Sequence, residues 1–175
     1  MKTGSYVQTS YLEEVYDPKR FKPMVNRVIR RLRQVGQFDA IAFRGSSGAA
    51  VAYPVAFRLG CGLLHVRKDM GHTGERVEGV LPIKKYVIID DFIDTGSTIK
   101  EIVEEIDAAH RMWTRRMCPK RPYAAKAIAI LLYSSDEGHK YETKNITRKF
   151  TKELTPIFGC RTWRVPVYDC STYER

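Results

Sequence analysis

The sequence predicts an α/β protein with a central, mostly parallel sheet flanked by helices. Three observations carry that expectation. Strand-like apolar runs alternate with segments of helical periodicity along the chain, which is the pattern of a parallel sheet with crossover helices. The strand runs are nearly continuous in apolar residues, as strands covered on both faces are. Polar segments at 44–48, 67–81 and 90–98 follow three of those runs, where ligands of such sheets sit, beyond the carboxyl ends of the strands.

Taken in order, Phe21, Met24, Val25, Val28, Ile29 and Leu32 recur at helical spacing with Arg27, Arg30 and Arg31 between them, predicting an amphipathic helix over 18–35 that Gly36 ends. Residues 38–43 form a short apolar run, read as a buried strand. Arg44-Gly45-Ser46-Ser47-Gly48 follows as a glycine-rich turn, then a helix over 49–59, and Leu63 to Val66 as a second strand. The stretch 67–81 is polar and carries three glycines without periodicity, so it is expected to be a mobile loop. Tyr86-Val87-Ile88-Ile89 is the third strand. A helix over 97–110 buries Ile99, Ile102, Val103 and Ile106, a basic connection spans 111–123, and 125–133 is a fourth strand. Residues 134–156 resist assignment, and 162–168 alternates as a late strand would.

The chain has 175 residues, 43% hydrophobic and 29% charged, which fits one domain with a sizeable core. Its apolar runs are too short to span a bilayer, and no apolar stretch follows the N-terminal Met1-Lys2-Thr3, so the expected location is the cytoplasm. Four scattered cysteines without a C-x-x-C pair predict neither a zinc site nor a disulfide framework. The 30 basic residues exceed the 20 acidic ones by ten, a balance that favours anionic partners. The cations are spread over several segments and lack interleaved aromatics, so they read as solvated helix faces rather than as a nucleic-acid groove.

The chemistry concentrates in Val87-Ile88-Ile89-Asp90-Asp91-Phe92-Ile93-Asp94-Thr95-Gly96-Ser97-Thr98. An apolar strand ends in two adjacent carboxylates, and a Thr-Gly-Ser-Thr run opens a helix shortly afterwards. Hydroxyls, a glycine and the unbonded N–H groups of a helix start make a cradle for a monophosphate. Two acids beside it suit sugar hydroxyls or a hard cation. Together these features describe a phosphorylated sugar.

That segment closely resembles the motif with which type I phosphoribosyltransferases bind phosphoribosyl pyrophosphate (PRPP), and the match runs over about a dozen contiguous positions. The resemblance implies the family fold, with a core over about 21–133 and a small hood built from 1–20, from 134–175, or from both, in a single domain. It implies that Asp90 and Asp91 bind the ribose hydroxyls and, through them or through water, Mg²⁺. It implies that Thr95, Gly96, Ser97 and Thr98 hold the 5-phosphate, and that Asp94 manages the proton of the base. Arg44, Gly45 and Ser46 stand where the family has its pyrophosphate loop, an anion nest of backbone N–H groups. Arg67-Lys68-Asp69-Met70-Gly71-His72 is similar to the catalytic loop of orotate phosphoribosyltransferases, with Lys68 a pyrophosphate contact, but it lacks that loop's second lysine.

The activity so implied is transfer of the phosphoribosyl group from PRPP to a nucleobase, with a purine favoured, Mg²⁺ as cofactor and a homodimer as the assembly. Tyr133, Trp163 and Asp169 are the candidate base contacts. Two alternatives stand beside this reading: a PRPP-sensing regulator of the same fold that binds nucleic acid, and an orotate phosphoribosyltransferase.

Overall fold

A computed structural model describes residues 12–70, 74–93, 95–117, 124–134 and 165–170. A short helix α1 (Glu13–Tyr16) leads into α2 (Pro18–Val35). The main-chain N–H of Lys19 donates to the Asp17 carboxylate at 2.9 Å, which caps α2, and Pro18 occupies its first position. There follow β1 (Ala40–Arg44), α3 (Gly45–Leu59), β2 (Gly62–Val66), β3 (Val77–Gly79), β4 (Lys85–Asp90), α4 (Ser97–Met117), β5 (Lys126–Leu132) and β6 (Val167–Asp169).

The strands form one sheet in the order β3-β2-β1-β4-β5-β6. All pairings are parallel except β2 with β3. Side chains alternate across this sheet with period two. Ala40, Ala42, Tyr86 and Ile88 face a core shared with Ile99, Ile102, Val103 and Ile106 of α4. Ile41, Phe43, Val87 and Ile89 face the opposite core, with Met24, Val28 and Leu32 of α2 and Val51 and Val55 of α3. The molecule is therefore a three-layer sandwich, and both faces of its central strands are buried, which is why those strands read as unbroken apolar runs.

Three expectations need correction. The helix placed at 49–59 begins at Gly45, because the chain turns from β1 into α3 at that single residue, which takes φ +69°. Gly48 then sits inside the helix, where it allows close packing: a Cβ there would lie 3.0 Å from Cβ of Phe43 and 3.2 Å from the carbonyl oxygen of Ile89. The 67–81 segment, read as a mobile loop, contains β3, an edge strand laid against β2 with His65 opposite Glu78. Arg67 bridges to Glu78 at 2.6 Å, and its main-chain N–H donates to the Arg76 carbonyl at 2.9 Å. Finally, α4 runs through Met117 rather than ending at 110, since buried His110 and Thr114 extend its inner stripe into the basic stretch. The late strand read over 162–168 is described only as Val167–Asp169.

Candidate functional site

From β1 the chain passes through α3 to β2 on one side, then returns to β4 on the other side of β1. The carboxyl ends of β1 and β4 thus mark a topological switch point, where the two halves of the sheet diverge and a crevice forms. A cavity of about 560 Å³ opens there, with walls from residues 44–47, Lys68, residues 90–93 and residues 95–99. The polar segments that the sequence places after three separate strands converge on this one space.

At its centre lies the acid pair. Asp90 is the last residue of β4 and is 4% exposed; Asp91 follows it at 8%. The Asp91 N–H donates to Oδ1 of Asp90 at 3.1 Å. Burial, and then the neighbouring Asp91 carboxylate, push the Asp90 carboxyl well above its ordinary range, with Arg44 pulling weakly the other way. The adjacent carboxyl groups can each accept from a hydroxyl, so the pair suits a vicinal diol. Two carboxylates also match the donor set of a hard cation that keeps its waters and completes its shell with substrate oxygens. Among the described residues no cluster of three or more metal-ligating side chains exists.

One wall is the start of α4. The Thr95 hydroxyl accepts from the Ser97 N–H at 3.3 Å and donates to the Ser97 hydroxyl at 3.1 Å, while the Gly96 carbonyl accepts from the Lys100 N–H at 3.0 Å. The first turn carries no acidic residue, so no carboxylate of α4 competes with an anion for its positive dipole end.

The facing wall is the start of α3, which likewise has no acid in its first turn and no side-chain cap. Lys68 stands over this turn: a Cβ on Gly45 would lie 3.3 Å from Cε of Lys68 and 3.7 Å from Nζ. The Lys68 carbonyl accepts from Arg76 at 3.1 Å, so the residue just before β3 braces the one that carries the ammonium. Arg44 is ion-paired with Glu101 of α4, and its buried Nε has no hydrogen-bond partner among the described residues. The walls of the cavity therefore combine two acid-free helix starts with a buried acid pair.

Of the residues singled out from sequence, Arg44, Gly45, Ser46, Lys68, Asp90, Asp91, Thr95, Gly96, Ser97 and Thr98 all line this cavity. Asp94, His72 and Trp163 lie outside the described residues. Asp169 belongs to β6, in register with Leu132. Tyr133 does not line the cavity. It is 1% exposed, packs in the core beneath α3, and its hydroxyl donates to the Ser47 carbonyl at 2.8 Å. Glu101 was not foreseen, because a glutamate inside an amphipathic helix carries no sequence signal of the cation it faces.

No family model matches the chain. Among curated proteins it is similar to the adenine phosphoribosyltransferases of Clostridium beijerinckii (23% identical over 112 residues, 54% of this chain and 64% of the relative) and Desulfosudis oleivorans (26% over 108 residues, 52% and 62%). The chain thus covers less than two thirds of the length of these curated relatives. Among solved structures it resembles adenine phosphoribosyltransferase from Saccharomyces cerevisiae in complex with an imino-altritol bisphosphate and adenine, with a TM-score of 0.58 at 18% identity over 88% of this chain and 80% of that one. Orotate phosphoribosyltransferase from Francisella tularensis follows at 0.51, with 13% identity over 89% and 68%. The fold is that of the type I phosphoribosyltransferases. Both of these sequence relatives are adenine enzymes.

Proposed function

We propose that the protein is a PRPP-dependent phosphoribosyltransferase that converts a purine base, adenine first among them, to its nucleoside monophosphate with release of pyrophosphate. The observation that carries the proposal is the single cavity lined by the acid pair Asp90–Asp91 and by two acid-free helix starts. PRPP has the same sequence of groups: a 5-phosphate, a ribose diol and a pyrophosphate. The adenine enzymes among the sequence relatives support the choice of base. The second lysine missing from the 67–72 segment speaks against orotate.

In this reading residues 95–98 hold the 5-phosphate, Asp90 and Asp91 grip the ribose hydroxyls, and Arg44, Gly45, Ser46 and Lys68 receive the pyrophosphate. Mg²⁺, when bound, neutralises charge on the departing pyrophosphate. As the bond from C1 to pyrophosphate breaks, positive charge develops on the ribose and negative charge on the leaving group. Lys68 and the N–H groups of the α3 turn face that negative charge and stabilise it. Asp94 takes the proton that the base loses.

The reading extends to a single domain over 1–175, a homodimer and a cytoplasmic enzyme. No helix among the described residues is long and apolar enough to cross a membrane. The test is a panel of adenine, hypoxanthine, guanine and orotate, each supplied with PRPP and Mg²⁺ and assayed for pyrophosphate release. Release with adenine above all others is the expected result. No release with any base, together with salt-sensitive binding of RNA or DNA, would favour a nucleic-acid-binding regulator instead.

A further inference from the structure

Tyr133 joins the two halves of the cavity's frame without touching the cavity. Its main-chain N–H donates to the Asp90 carbonyl at 3.3 Å, and the next residue, Ser134, donates to the Asp91 carbonyl at 3.0 Å. Its hydroxyl donates to the Ser47 carbonyl at 2.8 Å. One residue therefore holds the backbone of the acid pair at one end and the first turn of α3 at the other. The ring between them is buried in the core with Phe43, Val51 and Ile89, so the link is rigid. Gly48 adds a second constraint, since its missing side chain lets that same turn rest on the Ile89 carbonyl, one residue before Asp90.

We propose that Tyr133 is a positioning residue that sets the separation between the acid pair and the α3 turn, so that one ligand can engage both. This rests on the reading of the cavity as a PRPP site. PRPP is the substrate that spans the two groups, with its diol at Asp90 and Asp91 and its pyrophosphate at residues 44–47. The base engages neither. Loosening the link therefore weakens PRPP while leaving the base largely unaffected, which a general loss of folded protein would not do.

The experiment compares wild type with Tyr133→Phe, which removes only the hydroxyl, and Gly48→Ala, which lifts the same turn by a different contact. The Kd for PRPP with Mg²⁺ is measured by calorimetry, and KM for PRPP and for adenine by initial rates, below the melting temperature of every variant. Each variant should weaken PRPP by roughly five- to tenfold, as loss of one buried hydrogen bond implies, with KM for adenine changed less than twofold. Unaltered PRPP affinity in Tyr133→Phe overturns the proposal, and so does a rise confined to the KM for adenine, which would make Tyr133 a base contact. If wild type itself fails to bind PRPP, the reading of the cavity falls and the positioning role with it. Tight wild-type binding that Tyr133→Phe retains overturns the positioning role alone.

Discussion

Arg44, the last residue of β1, is ion-paired with Glu101 of α4 at the edge of the cavity. Its guanidinium is largely buried while the carboxylate is half exposed, with side chains 13% and 46% accessible. If residues 44–47 receive the pyrophosphate as proposed, it meets a cation whose charge is already partly neutralised. Glu101→Gln should therefore tighten inorganic pyrophosphate by about threefold, a gain that fades with added salt. Arg44→Ala should weaken it by tenfold or more, since a charge-assisted bond is lost. Competition binding at two ionic strengths measures both.

Asp90 couples function to stability with a definite sign. Its folded pKa lies above the ordinary 3.8 because of burial and the Asp91 charge. Its contribution to stability is fully present below that ordinary value and is lost as pH rises through the folded one. At neutral pH the folded protein carries the cost of a buried acid pair, so Asp90→Asn should melt roughly 3 °C higher than wild type. The advantage should vanish near about pH 4, where Asp90 is protonated in wild type as well. Melting curves across pH read the effect directly, and the same variant should lose PRPP binding.

Asp39 titrates in the opposite sense. Its carboxylate accepts from the main-chain N–H groups of Lys84 and Lys85 at 2.6 and 2.9 Å, and these bonds hold its pKa below the ordinary 3.8. The stabilisation is present above that value and lost as pH falls through the folded pKa. Asp39→Ala should cost about 1 kcal/mol at neutral pH, allowing for its solvent exposure. Denaturant titrations should show the difference from wild type closing in acid.

Gly45 tests the α3 turn. An alanine at φ +69° is strained by about 1–2 kcal/mol, and its Cβ would press on Lys68. Gly45→Ala should raise the KM for PRPP about tenfold while the KM for the base stays near wild type. Steady-state kinetics with each substrate varied in turn gives the answer.

Much of this site is legible in the sequence because its residues are contiguous. Residues 87–98 carry the acid pair and a phosphate cradle on one strand-to-helix passage, so local chemistry alone points to a sugar phosphate. Residues settled by tertiary contact are not legible in this way. β3 exists because Val77–Gly79 finds the edge of β2, and a valine, a glutamate and a glycine give no strand period by themselves. The start of α3 at Gly45 depends on one positive φ, and Gly48 reads as a turn residue until the Ile89 carbonyl beneath it is seen. The last turns of α4 were hidden because Thr114 and His110 fill apolar positions within a basic run. Tyr133 reads as a base contact by its place after β5, whereas its hydroxyl faces Ser47.

The account is tested most directly by calorimetric titration of PRPP with Mg²⁺ into wild type and into the Asp90→Asn/Asp91→Asn double variant. Saturable binding of one PRPP per chain in wild type, abolished in the double variant although it remains folded, is the predicted result. Absence of binding to wild type, or equal binding to both proteins, would contradict it.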